Sequence, residues 1–112
     1  MPGLSVTPDS RSNNSWVLSV KGRPLPEDAA TLDAKIDETV ASHPRVVVVD
    51  CAGLEFLGSF GIGALIRLQK AVEKQGGTVR LAGVSAPIMK ILEASRLEQR
   101  MPILTTVDAA LR

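Results

Sequence analysis

The spacing of apolar residues changes several times along the chain, and each change predicts a different element. Alternating apolar residues predict a short strand at residues 4–7 and a second at 16–20, joined through a polar loop as an opening hairpin. Pro26 suits the first position of a helix. A stripe of every third or fourth residue then predicts a helix that runs to about residue 42; its members are Ala29, Leu32, Ile36 and Val40.

The middle of the chain predicts a strand buried on both faces. Residues 45–50 contain four consecutive valines, as is typical of a central strand in a sheet covered by helices. A loop at 51–58 should lead into a helix over about 59–75, which ends at two glycines.

The C-terminal third continues the alternation of strands and helices. It predicts a strand at 78–82, a helix from Ser85 to about 94, an edge strand at 102–105 and a last helical turn from 107. The order β-β-α-β-α-β-α-β-α indicates an α/β fold with a mixed central sheet and interspersed helices, organised as one domain over residues 1–112.

Composition narrows the function. Thirteen basic residues against twelve acidic ones leave a net charge of +1, and only 3% of residues are aromatic, which argues against nucleic-acid binding. Cys51 and His43 are each the only residue of their type, so no disulfide, metal site or cofactor is expected. No apolar run approaches the ~18–20 residues of a membrane span, and no signal peptide is evident, so we expect a cytoplasmic protein without membrane insertion.

The segment from Val49 to Ala64 holds the candidate site, a buried strand followed by a loop and a helix that begins near Ser59. Ligands of α/β sheets usually bind at this edge. The segment lacks the Lys-Ser/Thr pair of a phosphate-binding loop, and Leu57 stands where a hydrolase nucleophile elbow needs glycine. Two interpretations of Ser59 remain open, a helix N-cap and a regulatory phosphorylation site.

This order of elements resembles the STAS domain, the family of anti-sigma-factor antagonists and of the cytosolic domains of sulfate transporters. In the antagonists the junction reads Met-Asp-Ser-Ser/Thr-Gly-Leu-Gly, and the serine after the aspartate is phosphorylated. The resemblance places Ser59 at the phosphoacceptor position. The matching residues of this chain are Leu57, Gly58, Ser59, Phe60, Gly61, Ile62 and Gly63. Gly58 and Leu25 stand where the family has acids.

The resemblance implies a protein-interaction switch without catalysis, most simply an anti-sigma-factor antagonist. The partner would be an anti-sigma factor that is also a serine kinase, and phosphorylation of Ser59 would weaken its binding. The residues expected to contact it are Leu57, Gly58, Phe60, Gly61, Ile62, Gly63 and Arg67. Phe60 is either a core residue or an interface anchor. The chain is expected to be a monomer or a weak dimer.

Two alternatives remain. The first is a STAS scaffold, or an accessory subunit of a transporter ATPase, that binds partners without phosphorylation. The second is a small nucleotide- or phosphate-binding protein that uses the glycine-rich helix start. The basic residues Arg67, Lys70 and Lys74 form a stripe on the long helix. This stripe is either a solvated face or a rim that attracts an acidic partner.

Overall fold

A computed structural model describes residues 3–112 of the chain. The strands are β1 Ser5–Arg11, β2 Ser15–Gly22, β3 Val46–Leu54, β4 Thr78–Ala82 and β5 Ile103–Leu104. The α-helices are α1 Ala29–Ala41, α2 Ser59–Lys74, α3 Ala86–Ala94 and α4 Val107–Leu111. Short 3-10 turns occupy Ser12–Asn14, Pro26–Asp28 and Leu97–Gln99. The predicted order of strands and helices is confirmed.

The five strands form one mixed sheet in the order β1-β2-β3-β4-β5. β1 and β2 are antiparallel, as predicted for the opening hairpin, and the other neighbours are parallel. The four valines of β3 are at most 2% exposed, because helices cover both faces of this central strand. The pairing places the C-terminal ends of β2, β3 and β4 at the same edge of the sheet.

The main core lies between the sheet and three helices. Leu32 and Ile36 of α1, Leu68 of α2 and Leu92 of α3 pack in one cluster against the strands. The opposite face has a smaller cluster, in which α4 contributes Ala110. Within residues 3–112, no helix is long and apolar enough to span a bilayer.

Two strands extend well beyond their predicted ends for the same reason, whereas the bounds of β2 and β5 differ from the predicted ones by one or two residues. The first strand continues through Pro8 to Arg11, because its whole length pairs with β2 and a proline is tolerated on an edge strand. The loop predicted at 51–58 starts later, because β3 continues to Leu54 alongside the end of β2. In both cases pairing with a neighbouring strand extends the element beyond what local residue preferences indicate.

Candidate functional site

The site begins where the loops that follow β2 and β3 meet. The backbone N–H of Glu55 donates to the carbonyl oxygen of Gly22 over 2.9 Å. Gly22 has φ +98°, and a side chain there would also meet the backbone oxygen of Gly3 at 2.6 Å, so only glycine fits. This contact fixes the position of the loop that leads into α2.

Helix α2 starts without a side-chain cap. Gly58 is its N-cap residue, and its carbonyl oxygen accepts the first helical hydrogen bond, from Ile62 N–H, at 3.0 Å. Ser59 is the first helical residue and is exposed. The N-cap interpretation of Ser59 was therefore wrong by one position, and its hydroxyl forms no hydrogen bond with any residue of the range 3–112.

One surface of α2 is only partly covered by the rest of the chain, and we call it the outer face of α2. It consists of Ser59, Ile62, Gly63 and Ile66, which follow the i, i+3, i+4, i+7 spacing of a single helix face. Ser59 is exposed and the other three are half-buried. Ile62 and Ile66 also pack against the edge of the core. Phe60 lies beside this face, half-buried and packed against the edge of the core. Its role as an interface anchor stays a prediction.

Two of the predicted contact residues lie beneath the surface. Leu57 is 4% exposed, and Gly61 is buried. A side chain at Gly61 would come within 2.7 Å of the Leu57 Cδ1 atom and 3.5 Å of the Pro24 Cβ atom. Both residues pack beneath the start of α2, under the helix turns that carry its outer face.

Gly63 differs from the neighbouring glycines. A Cβ atom added at Gly63 would have no atom within 4 Å, and its φ lies outside the left-handed region. Glycine in a helix interior costs about 0.5–1 kcal/mol relative to alanine. Packing and backbone geometry within the chain therefore do not require glycine here.

A stack of three residues lies next to Ser59. The Arg23 guanidinium lies 4.9 Å from the centre of the Phe56 ring, within cation–π distance. The far end of the same ring lies so close to Gly58 that a Cβ atom there would be 2.8 Å from Phe56 Cζ. The position at which the STAS pattern has an aspartate is therefore crowded by an aromatic ring, and that ring contacts a cation.

The second position without the acid of the family pattern is Leu25, and an acid from a later residue forms hydrogen bonds with its backbone. Leu25 precedes the 3-10 turn that begins at Pro26, and its backbone N–H donates to the Asp28 carboxylate over 2.9 Å. Asp28 N–H in turn donates to the Leu25 carbonyl oxygen over 2.8 Å. An acid thus stands three residues beyond the expected position, where it stabilises the turn.

The predicted basic stripe is partly neutralised. Arg67 pairs with Asp33, so the ion pair links α2 to α1 across the surface. Both side chains are about half exposed, at 52% and 53%, and such pairs contribute little to stability. Lys70 and Lys74 are exposed on the same side of α2.

Cys51 lies below the site in β3 and is 1% exposed. Burial, reinforced by the neighbouring Asp50 carboxylate, raises the pKa of the thiol from 9.0 to about 12. The side chain is therefore a neutral thiol at physiological pH, as expected of a buried structural cysteine.

Sequence reasoning missed three residues of this region. Arg23 and Phe56 form the stack over Gly58, and Ile66 completes the outer face of α2. Ile66 follows from the helical spacing that starts at Ser59. A signal for Phe56 was its rarity, since the chain has only two phenylalanines, and both flank the junction. The contact between Phe56 and Arg23 joins two separate loops and has no local signal.

The sheet order, the covering helices and the exposed serine at the start of α2 define the class of the protein, an α/β domain with a mixed five-stranded sheet. The chain belongs to the STAS-domain family, whose model matches residues 9–110.

Similarity to individual proteins agrees with this membership. The anti-sigma-F factor antagonist RsfB of Mycobacterium tuberculosis is 37% identical over 73 residues, which are 65% of this chain and 57% of the relative's length. An anti-sigma factor antagonist from Mycobacterium paratuberculosis has a crystal structure with a TM-score of 0.86 at 25% identity, covering 97% of this chain and 92% of that one. The phosphorylated form of the Bacillus cell-fate determinant SpoIIAA shares the fold, with a TM-score of 0.72 at 19% identity over 94% of this chain and 96% of that chain.

Proposed function

We propose that the chain is a non-catalytic anti-sigma-factor antagonist that binds its partner through the outer face of α2 and is switched by phosphorylation of Ser59. The observation that carries the proposal is the exposed serine at the first position of α2, next to the half-buried apolar residues Ile62 and Ile66. Apolar residues with partial exposure are the usual anchors of a protein interface.

Gly63 supports the same surface. The fold does not require a glycine there, because no atom occupies the space that a Cβ would take. A partner whose backbone approaches α2 closely would require it. Phe60 beside it supplies the aromatic group that interface cores favour.

Phosphorylation of Ser59 would change binding while leaving the fold intact. A phosphate adds about two negative charges, which the positive end of the α2 dipole stabilises. The modified chain therefore stays folded, and the charge and bulk on the outer face of α2 repel a partner that fitted the neutral surface. The partner then becomes free to hold its sigma factor.

The Arg23–Phe56–Gly58 stack would set the partner's chemistry. The partner would meet an aromatic ring, contacted by a guanidinium, beside the position at which the STAS pattern has an aspartate. A partner adapted to this chain would place an acidic or neutral group opposite Arg23.

The test starts by capturing partners of the full chain from cells of its own organism and incubating the complex with labelled ATP. We expect a captured anti-sigma factor to label the wild-type chain and not Ser59→Ala. Ser85→Ala is the matched control, because Ser85 is exposed, lies at the start of α3 and caps it without a side-chain hydrogen bond. Label that persists in Ser59→Ala would contradict the switch. Stable binding without any labelling would favour the scaffold alternative.

A further inference from the structure

An apolar cavity lies beneath the first two turns of α2. Leu18 and Val49 of the sheet form its floor, Leu32 and Ile36 of α1 form one wall, and Ala64 and Leu65 of α2 form its roof. Its volume is about 40 Å³, and it is partly open to the surface. The cavity lies between the face of the sheet and helices α1 and α2, next to the middle and C-terminal residues of β2 and β3.

Small side chains on facing elements account for the space. Ala64 and Gly61 are one helical turn apart on the underside of α2, and Cys51 faces the same cavity from β3. The larger residues around them are buried and cannot close the gap without leaving their own contacts. The cavity is thus a consequence of the α2 sequence and belongs to the folded state.

The chemical character of the lining residues determines which kind of molecule could bind in the cavity. All lining residues are apolar except for the Cys51 thiol, which is protonated at physiological pH because of its raised pKa. A water molecule needs roughly 10–15 Å³ and two to four polar partners. The cavity satisfies the first requirement, but its wall offers water no polar side chain except the Cys51 thiol. A charged or strongly polar ligand would lose its hydration without compensation.

We infer that this cavity is a binding site for a small uncharged apolar ligand, held between α1, α2 and the sheet. The inference goes beyond the proposed switch and does not depend on it, because it concerns the free chain. A ligand there would contact the residues that support the outer face of α2 from below.

Xenon is a suitable probe, since it is apolar, monatomic and known to enter dry protein cavities. We expect xenon under pressure to shift the methyl NMR signals of Leu18, Leu32, Ile36 and Val49 in a saturable way. Signals of α4 on the opposite face, such as the methyl group of Ala110, should not move. Absence of any saturable shift at the lining methyl groups would overturn the inference.

A variant that fills the cavity provides the second arm. Ala64→Val adds two methyl groups at the roof and should weaken xenon binding at least tenfold. Ala71→Val is the matched control, because Ala71 lies on the same helix outside the cavity lining, and it should leave the affinity unchanged. Val20→Ile, also at the lining, replaces Ala64→Val if that variant does not fold. Unchanged xenon affinity in a folded filling variant would also overturn the inference.

Discussion

At position 58, the neighbouring Phe56 ring favours glycine, whereas the backbone conformation does not require it. The Phe56 ring lies where a side chain at position 58 would begin, and Arg23 lies on that ring. Aspartate is normally a better N-cap than glycine by a few tenths of a kcal/mol. An aspartate at position 58 would therefore improve the helix cap but would have to displace the Phe56 ring.

We expect Gly58→Asp to lower the free energy of unfolding by about 1 kcal/mol, because the Phe56 ring must move off its position. In a Phe56→Ala background the same change should instead be stabilising, since the cap is gained without displacing a ring. Urea unfolding of the four proteins measures this coupling. Gly58→Ala serves as the control that adds the Cβ atom without the carboxylate. Equal effects in both backgrounds would show that the ring does not restrict position 58.

The raised pKa of the Cys51 thiol predicts how the free energy of unfolding depends on pH. The thiol of the unfolded chain ionises near its ordinary pKa of 9.0, and the buried thiol keeps its proton up to about pH 12. Between these values the folded state binds more protons than the unfolded state. The free energy of unfolding therefore falls as pH rises through this window, by up to about 1.4 kcal/mol per pH unit.

The comparison of wild type with Cys51→Ala isolates this effect, because all other titrating groups are shared. Urea unfolding across the window should show a steeper loss of stability in the wild type. Parallel pH profiles for the two proteins would mean that the thiol is not protected by burial.

At the scale of the element, α2 combines two kinds of glycine. Gly77, just after the helix, admits no side chain, because a Cβ there would be 2.4 Å from the Pro44 carbonyl oxygen. Gly63 within the helix admits one freely. The difference separates a glycine that the fold requires from one that partner binding can explain.

We expect Gly63→Ala to raise the free energy of unfolding by about 0.5–1 kcal/mol, the usual gain in a helix interior. It should also weaken partner binding, because the added methyl group stands on the outer face of α2. Gly77→Ala, the control, should be destabilising. Denaturant unfolding and calorimetric titration with the captured partner measure both effects. A stabilised Gly63→Ala protein with unchanged affinity would remove Gly63 from the interface.

The sequence predicted the elements better than the contacts between them. The valines of β3, the stripe that includes Leu32 and Ile36, and the start of α2 at Ser59 all follow from local patterns, and the structure confirms them. The extension of β1 past Pro8 depends on pairing with β2, which local residue preferences do not reveal.

The candidate site likewise combines features that the sequence predicts with contacts that it does not. The position of Ser59 and the outer face of α2 follow from helical spacing. The stack of Arg23 on Phe56 and the ion pair of Arg67 with Asp33 join residues more than thirty positions apart, and only the packed chain brings them together. The cavity likewise depends on which small residues of different elements face one another.

At the scale of the whole molecule, charge is nearly balanced, with a net value of +1. Phosphorylation of Ser59 would change this to about −1. A balanced protein has a weak overall field, so the added charge acts mainly at short range on the surface around Ser59. The switch is therefore expected to depend on contact at the outer face of α2 more than on long-range steering.

The most direct test of this account is the affinity of the captured anti-sigma factor for two forms of the chain, unmodified and with phosphoserine introduced at position 59 during synthesis. Phosphoserine at position 85 provides the control for charge alone. We predict that calorimetric titration will show at least tenfold weaker binding for phosphoserine at 59 and nearly unchanged binding for phosphoserine at 85. Equal affinity of the unmodified chain and the chain phosphorylated at Ser59 would contradict the account.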